Sequence, residues 1–155
     1  MRRSALVFLA LPGAVLLPAC AAAADDVPPV VAALQGPPLI KVGSPAVFTS
    51  KSDQAGHAVL RLTQRVTGSR VGDRCVARTA KNRKANKCPR VVTISRLALA
   101  LVAPGGMRFT FEGPIPAGRY AVTLTFAGDN GLDAVPRNRV LRVRTHPRPP
   151  ERTTP

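Results

Sequence analysis

The sequence predicts an all-β fold, a single antiparallel β-sandwich domain over residues 39–145. Two observations predict it: apolar and polar residues alternate with a period of two over several short runs, and turn-forming residues separate these runs. In addition, no long run shows the 3.6-residue period of an amphipathic helix. The 155 residues suffice for one domain and not comfortably for two.

The first half of the domain contains three strand-like runs. The first is "PAVFTS" at 45–50, and the second is "HAVLRLTQRV" at 57–66, which places Leu60 and Leu62 on one face and Arg61 on the other. The third is "PRVVTISRLALALV" at 89–102, whose later part has the composition of a short helix. The β-branched residues that precede this part favour a strand.

The second half alternates more clearly. Strands are predicted from "MRFTFE" at 107–112, "RYAVTLTF" at 119–126 and, more weakly, "RVLRVR" at 139–144, with the turn signals "APGG", "PAG" and "GDNG" before or after them. About seven short strands of this kind are typical of an immunoglobulin-like or fibronectin-III-like sandwich. The aromatic residues expected in its core are Phe109, Phe111, Tyr120 and Phe126.

The N-terminus has the pattern of an export signal. "MRR" precedes a 13-residue apolar run, too short to span a bilayer, and "AAAADD" offers a cleavage site after Ala24, so residues 1–24 are predicted to be a signal peptide. A short membrane anchor is the alternative. "LPAC" also resembles a bacterial lipobox, with Pro18 departing from the pattern, so cleavage before a lipidated Cys20 remains open. Either route predicts a secreted or cell-surface protein.

Proline-rich segments flank the domain. Residues 25–38 are interpreted as a Pro/Ala-rich tether, and residues 146–155, with four prolines, as a disordered tail. Removing residues 1–24 takes Arg2 and Arg3 from the 23 basic residues and none of the 8 acidic ones, which leaves a net charge of +13. Such a charge favours anionic partners, namely phosphate-rich wall polymers, lipid headgroups or nucleic acid. The alternative is that it only keeps an exported protein soluble.

Two cysteines remain in the domain, Cys75 and Cys88. In an oxidising compartment we expect them to form a disulfide. A zinc site needs about four ligands, and the histidines, His57 and His146, are expected at the surface, so no metal is predicted.

The cysteines enclose a basic stretch, "GDRCVARTAKNRKANKCPR" at 72–90. Its candidate anion-binding residues are Arg78, Lys81, Arg83, Lys84 and Lys87, with no acidic residue at 76–87. We expect a disulfide-closed loop that contacts an anionic cell-wall polymer or a membrane surface. A purely structural or accessory β-domain is the alternative.

Catalytic chemistry finds no support in the sequence. The histidines have no nucleophile or orienting acid in a recognisable pattern, and the domain's acidic residues are scattered. "DNGLD" at 129–133 offers a few oxygens for calcium, but its pattern is that of an Asn-Gly turn. Aromatic residues are few and expected to be buried, which disfavours specific nucleic-acid binding. No enzyme and no cofactor is therefore expected; an enzyme with an unrecognised site is the remote alternative.

The order of motifs resembles a group of exported immunoglobulin-like domains from high-GC Gram-positive bacteria. In that group a C…C-x-R hairpin is followed by "F-x-G", "PGRY" and a "D-x-x-GN" turn. The matching positions here are Cys75, Cys88, Arg90, Phe111, Gly113, Gly118, Arg119, Tyr120, Asp129 and Gly131. Ala117 stands where proline is usual, and the turn at 128–133 is shorter and rearranged. The resemblance covers residues 55–144 and implies the sandwich fold but no activity.

Overall fold

The computed structural model describes residues 27–145, and all regular structure in this range is β-strand. The strands are β1 (Leu39–Lys41), β2 (Ala46–Ser52), β3 (Gly56–Val71), β4 (Arg74–Val76), β5 (Lys87–Leu101), β6 (Gly105–Phe111), β7 (Gly118–Gly128) and β8 (Arg137–Arg144). Within these residues no helix is present that could cross a membrane.

The strands form two sheets. The large sheet has the order β1-β8-β7-β3-β4, with β5 also paired to β3, and the small sheet consists of β2 and β6. All pairings are antiparallel except that of β1 with β8. In the immunoglobulin nomenclature β2 and β6 correspond to strands B and E, and β3, β7 and β8 to strands C, F and G. The predicted immunoglobulin-like sandwich is confirmed.

The core lies between the two sheets and follows the predicted alternation. Leu60 and Leu62 of β3 and Val122 of β7 are completely buried. Phe48 and Phe111 bring the small sheet against them, with ring centroids 5.9 Å apart in an edge-to-face arrangement. The four aromatic residues expected in the core are all buried. Each large side chain of this kind stabilises the fold by about 1.5–3 kcal/mol through its removal from water.

Tyr120 forms a tyrosine corner at the start of β7. Its hydroxyl donates a hydrogen bond of 2.6 Å to the carbonyl oxygen of Pro116, four residues upstream. Burial raises the pKa of the Tyr120 phenol above 10.0 because the phenolate loses its hydration. The side chain therefore fixes the entry to β7.

The N-terminal segment, residues 27–38, is not a free tether in the structure. Val31 and Leu34 are buried in the core, and the amide of Gln35 donates to the carbonyl of Thr49 on β2 at 2.8 Å. Gly36 lies against the ring of Phe48, where an added Cβ would be 2.3 Å from a ring carbon. The segment extends the small sheet, so the packed domain begins before the predicted boundary at residue 39.

Two arginines of β8 bind this segment through its backbone carbonyls. Nε of Arg137 donates to the carbonyl of Val31 at 2.7 Å, and a terminal nitrogen of Arg139 donates to the carbonyl of Leu34 at 3.2 Å. The composition of residues 27–38 did not predict their packing against the domain, because proline-rich sequence is typical of linkers. Proline is nevertheless tolerated at a sheet edge. The predicted signal peptide (1–24), Cys20 and the predicted tail (146–155) lie outside the described residues.

Candidate functional site

The basic stretch belongs to a hairpin that continues past the end of β7. β3 and β5 are paired from Gly56↔Leu101 to Ser69↔Lys87, whereas β7 accompanies β3 only from Gly56 to Thr63. We call residues 64–92 the projecting hairpin. The eight remaining residues of β3 correspond to about 26 Å of extended chain. A β-bulge in the β3–β5 pairing, at Leu62/Thr63, marks its base.

A tight turn reverses the chain at the tip of β3. Gly72 and Asp73 connect the paired residues Val71 and Arg74, and Gly72 has a φ of 57°, a conformation that glycine adopts without steric cost. β4 then returns along one edge of β3, while β5 lies along the other. The end of β3 therefore lies between two strands.

The disulfide connects these two flanking strands. Cys75 of β4 is bonded to Cys88 of β5, with a Cα–Cα distance of 6.0 Å. The bridge crosses β3 at Gly68, where an added Cβ would lie 2.8 Å from Sγ of Cys75 and 2.5 Å from the carbonyl oxygen of Val76. The bridge can cross here because residue 68 has no side chain. The predicted disulfide is confirmed.

The loop between the cysteines is ordered by its own asparagine. Oδ1 of Asn82 accepts a hydrogen bond from the amide of Thr79 at 2.7 Å, and Nδ2 of Asn82 donates to the carbonyl of Ala77 at 2.8 Å. The amide of Ala85 donates to the carbonyl of Asn82 at 3.0 Å. The loop, which we define as residues 77–86, thus has a hydrogen-bonded turn at its centre.

The five nominated basic residues do not form one uniform group. Arg78, Lys81, Arg83 and Lys84 are exposed on the loop, whereas Lys87 is the first residue of β5 and lies opposite Ser69. One guanidinium nitrogen of Arg78 donates to the carbonyl of Arg83 at 2.6 Å, so this arginine partly supports the loop. The structure brings four of the five charges into one small loop closed at its base.

A second set of cations lies on the outer face of the large sheet, and sequence reasoning did not nominate it. Its members are Arg61, Arg65, Arg96, Arg119 and Arg142, all exposed. The register places Arg61 directly opposite Arg96 and Arg119 directly opposite Arg142. Alternation predicted an outward position for Arg61, and the same period of two places Arg65 and Arg119 outward, but their neighbours across the sheet follow only from strand pairing. We call these five residues the outer arginines.

The remaining candidates occupy turns or the surface. The "DNGLD" stretch forms the predicted turn, in which Gly131 has a φ of 80° and Oδ1 of Asn130 accepts from the amide of Leu132 at 3.1 Å. His57 is exposed on β3. In the range 27–145 no group of three or more His, Cys, Asp or Glu side chains is arranged to hold a metal ion. His146 lies outside that range.

Comparison with known proteins adds a distant structural neighbour. The chain matches no protein-family model and no curated protein. A solved CARDB domain from Pyrococcus furiosus, crystallised in complex with di-metal ions, aligns over 75% of this chain and 89% of its own, with 13% sequence identity and a TM-score of 0.33. At that TM-score we infer nothing about this chain from the neighbour's metal ions. The features that define this domain are its own strand order, its inter-strand disulfide and its tyrosine corner.

Proposed function

We propose that this protein is an exported, non-catalytic immunoglobulin-like module of the cell surface, and that its disulfide-closed basic loop contacts an anionic polymer of the envelope. The observation that carries the proposal is the loop itself. Lys81, Arg83 and Lys84 are exposed on a loop that the disulfide closes and Asn82 orders. Because the loop is already ordered, binding loses less conformational entropy than in a flexible tail.

The disulfide supports the export part of the proposal. Such bonds persist in oxidising compartments and are rare in the cytosol of most organisms. The predicted signal peptide points to the same destination, with either release or a lipid anchor at Cys20 as the outcome. Intact mass of the protein from its native host tests this part. We expect a chain that begins at Asp25 or at a lipid-modified Cys20, and a protein that retains residues 1–24 would overturn export by this signal.

The charge distribution supports the binding part. No acidic residue occurs at 76–87, so the loop presents a field of one sign. An ion pair between an exposed loop cation and an anionic group of the partner contributes about 0.2–1 kcal/mol to binding and weakens with salt. We therefore expect a weak contact with wall polymer or anionic lipid headgroups that strengthens through repeated charges on the partner.

A matched pair of double variants tests the loop. Arg83→Gln with Lys84→Gln removes two loop charges, and Lys51→Gln with Arg108→Gln removes the same two residue types from the outer face of the small sheet. In co-sedimentation with isolated cell-wall fragments and with phosphatidylglycerol vesicles at low salt, we expect about fivefold weaker binding for the loop variant, equivalent to about 0.5 kcal/mol per lost ion pair. The small-sheet variant is the control and should stay close to the unmodified protein.

Two results would overturn the loop's role. Equal weakening in both double variants would mean that net charge alone attracts the polymer. If the unmodified protein does not bind either probe at low salt, the domain is a structural spacer and its charge serves solubility.

A further inference from the structure

From the outer face of the large sheet we infer a second anion-binding site, separate from the loop, that takes a linear phosphate polymer lying across four strands. It goes beyond the proposed function because it uses other residues on another surface, and it stands whether or not the loop binds. The site consists of the outer arginines and the short side chains between them.

Strand pairing arranges the outer arginines in two rows. In one row Arg142 of β8 lies opposite Arg119 of β7, and continuation of the β7–β3 register from Thr63↔Ala121 brings Arg65 level with Arg119. In the other row Arg61 of β3 lies opposite Arg96 of β5. The rows are four residues apart along β3, which corresponds to about 13 Å.

Short side chains occupy the row between the arginines. The pairings Val140↔Ala121, Ala121↔Thr63 and Thr63↔Thr93 carry this middle row across β8, β7, β3 and β5. A hollow of about 570 Å³ opens over part of it, lined by Thr63, Arg65, Val91, Arg119, Tyr120, Ala121 and Val140, with the side chain of Tyr120 itself buried. Because neighbouring strands are about 4.8 Å apart, the middle row crosses the four strands over about 14 Å. The result is a trough with Arg119 and Arg142 along one side at β7 and β8, Arg96 along the other side at β5, and an arginine on each side at β3.

Among residues 27–145 the guanidinium groups of the outer arginines have no partner. In the part of the chain that the structure describes, none of the five donates a side-chain hydrogen bond or forms an ion pair. Arg137 and Arg139 of β8 provide the contrast, since they turn inward and bind the carbonyls of Val31 and Leu34. The same residue type thus binds protein carbonyls on one face of β8 and is left to solvent or a ligand on the other.

The arrangement costs stability unless an anion is bound. Like charges placed directly opposite each other on neighbouring strands repel, and the trough contains two such pairs, Arg61↔Arg96 and Arg119↔Arg142. No acidic residue of the sheet relieves the repulsion, because the eight described strands contain neither Asp nor Glu. A polyanion in the trough would neutralise both pairs at once.

The residue types indicate phosphate. All five members are arginine, whose planar fork matches a phosphate group through two parallel hydrogen bonds, as lysine cannot. The outward positions of these strands carry no Phe, Tyr or Trp side chain on which bases could stack, which disfavours single-stranded nucleic acid. A flat membrane would touch the arginine rows and leave the middle row empty, whereas an extended phosphate chain can lie between the rows.

Titration of the purified, exported chain with long-chain inorganic polyphosphate tests the site. Arg61→Gln with Arg119→Gln, the trough variant, removes one arginine from each row, and we expect at least tenfold weaker binding at low salt. The slope of log affinity against log salt should become shallower by about 1.4, as for two lost contacts on a single-stranded polyanion. Arg61→Lys with Arg119→Lys keeps the charge but removes the fork, and should recover only part of the loss.

The loop variant and the small-sheet control variant separate the two proposals. If Arg61→Gln with Arg119→Gln weakens polyphosphate binding no more than Lys51→Gln with Arg108→Gln does, the trough is not a site, whatever the loop variant shows. Conversely, if the loop variant binds polyphosphate as well as the control variant does, the loop proposal is overturned and the trough proposal stands. Amide chemical-shift changes at Ala121 on polyphosphate addition locate the contact in the trough, and changes confined to residues 77–86 would overturn it.

Two further probes test the class of ligand. Single-stranded DNA of equal charge should bind more weakly than polyphosphate, and tighter binding would overturn the assignment to a phosphate chain without bases. Phosphatidylglycerol vesicles should bind the trough variant and the unmodified protein with similar affinity. Vesicle binding that falls tenfold in the trough variant while polyphosphate binding is unchanged would assign the face to a lipid surface instead.

Thermal unfolding of the variants checks that they fold. We expect polyphosphate to raise the melting temperature of the unmodified protein more than that of the trough variant.

Discussion

The two halves of β3 show how one alternating strand can be stabilised in two different ways. From Gly56 to Thr63 the strand lies between β7 and β5, and its inward residues Ala58, Leu60 and Leu62 are completely buried. Beyond Thr63 the strand has left β7, Val66 is only half-buried, and Val71 is exposed. The first half is stabilised by apolar burial, the second by backbone pairing and a covalent bridge.

The difference explains why the candidate binding residues of the loop lie beyond the second half of β3. A half-strand without a core beneath it needs few apolar side chains, so its positions can carry charge. The disulfide replaces the missing core in the projecting hairpin, which keeps the basic loop ordered at a distance from the sandwich. Stability measurements on matched variants of the two regions can test this division.

The largest difference should appear between two apolar truncations on β3. Leu60→Ala removes a completely buried side chain and should lower the free energy of unfolding by about 2–5 kcal/mol. Val66→Ala, on the same face in the projecting hairpin, should cost less than about 1 kcal/mol, because its side chain is already half in water. Urea denaturation of both variants provides the measurement. Similar losses would show that the hairpin has a core of its own and that the two halves of β3 do not differ.

Removal of the disulfide should affect the second half of β3 selectively. Cys75→Ser with Cys88→Ser removes the bond between two residues that are 13 apart in sequence. The chain-entropy model gives a loss of about 3 kcal/mol in the free energy of unfolding for a loop of this length. We expect amide hydrogen exchange to speed up at 66–71 and 87–92 while Leu60 and Leu62 stay protected. The reduced form of the unmodified protein is the control and should behave like the double variant. Loss of protection at Leu60 would instead show that the disulfide also stabilises the sandwich and that the hairpin and the sandwich unfold together.

The tyrosine corner belongs to the sandwich and should have a moderate effect. Tyr120→Phe removes the hydrogen bond to Pro116 while keeping the ring in the core, so we expect a loss of about 1 kcal/mol in urea denaturation. Ala117→Pro, which introduces a proline next to Pro116, is a useful companion because it should leave this hydrogen bond in place. A loss below about 0.3 kcal/mol for Tyr120→Phe would deny the corner a structural role.

The same residue predicts how stability changes in alkaline solution. Burial raises the pKa of Tyr120 in the folded state above 10.0, so the unfolded chain releases the proton first as pH rises. Stability from this group is therefore complete below about pH 10 and is lost progressively above it. The difference in unfolding free energy between the unmodified protein and Tyr120→Phe should shrink above about pH 10. A difference that grows with pH would contradict the direction of the shift.

Two buried serines provide the smallest and most local test. The hydroxyl of Ser50, in the sandwich, donates to the carbonyl of Ala32 at 2.9 Å, whereas that of Ser69, in the hairpin, is buried without a partner among the described residues. Ser50→Ala should cost about 1 kcal/mol, and Ser69→Ala should be neutral or slightly stabilising. Thermal unfolding of both compares them directly. A loss at Ser69 equal to that at Ser50 would mean that its hydroxyl is satisfied in solution.

Local patterns in the sequence predicted much of this architecture. Alternation identified the inward residues of β3, β6 and β7, and Tyr120, expected in the core, is buried there. Two cysteines without further ligands predicted the bridge. The signal peptide, the lipid anchor and the relationship to exported domains of high-GC Gram-positive bacteria stay predictions, as does the absence of catalysis.

Other features could not be predicted because they depend on distant parts of the chain. The N-terminal segment has the composition of a linker, yet Val31 and Leu34 complete the core once Arg137 and Arg139 bind their carbonyls. The length of the projecting hairpin depends on where β7 begins relative to β3, and neither strand carries that information in its own pattern.

The basic residues show most clearly what each level of structure contributes. The amino-acid sequence alone establishes that the chain is strongly basic, that the charged residues of its clearly alternating runs face outward, and that Cys75 and Cys88 enclose five basic residues. It does not reveal that Arg61 meets Arg96 and Arg119 meets Arg142 on one acid-free face, which follows from the folded sheet. The physical reason is that a period of two is set within each strand by the pleat of the backbone. Register, in contrast, is set between strands by the packing of the whole core.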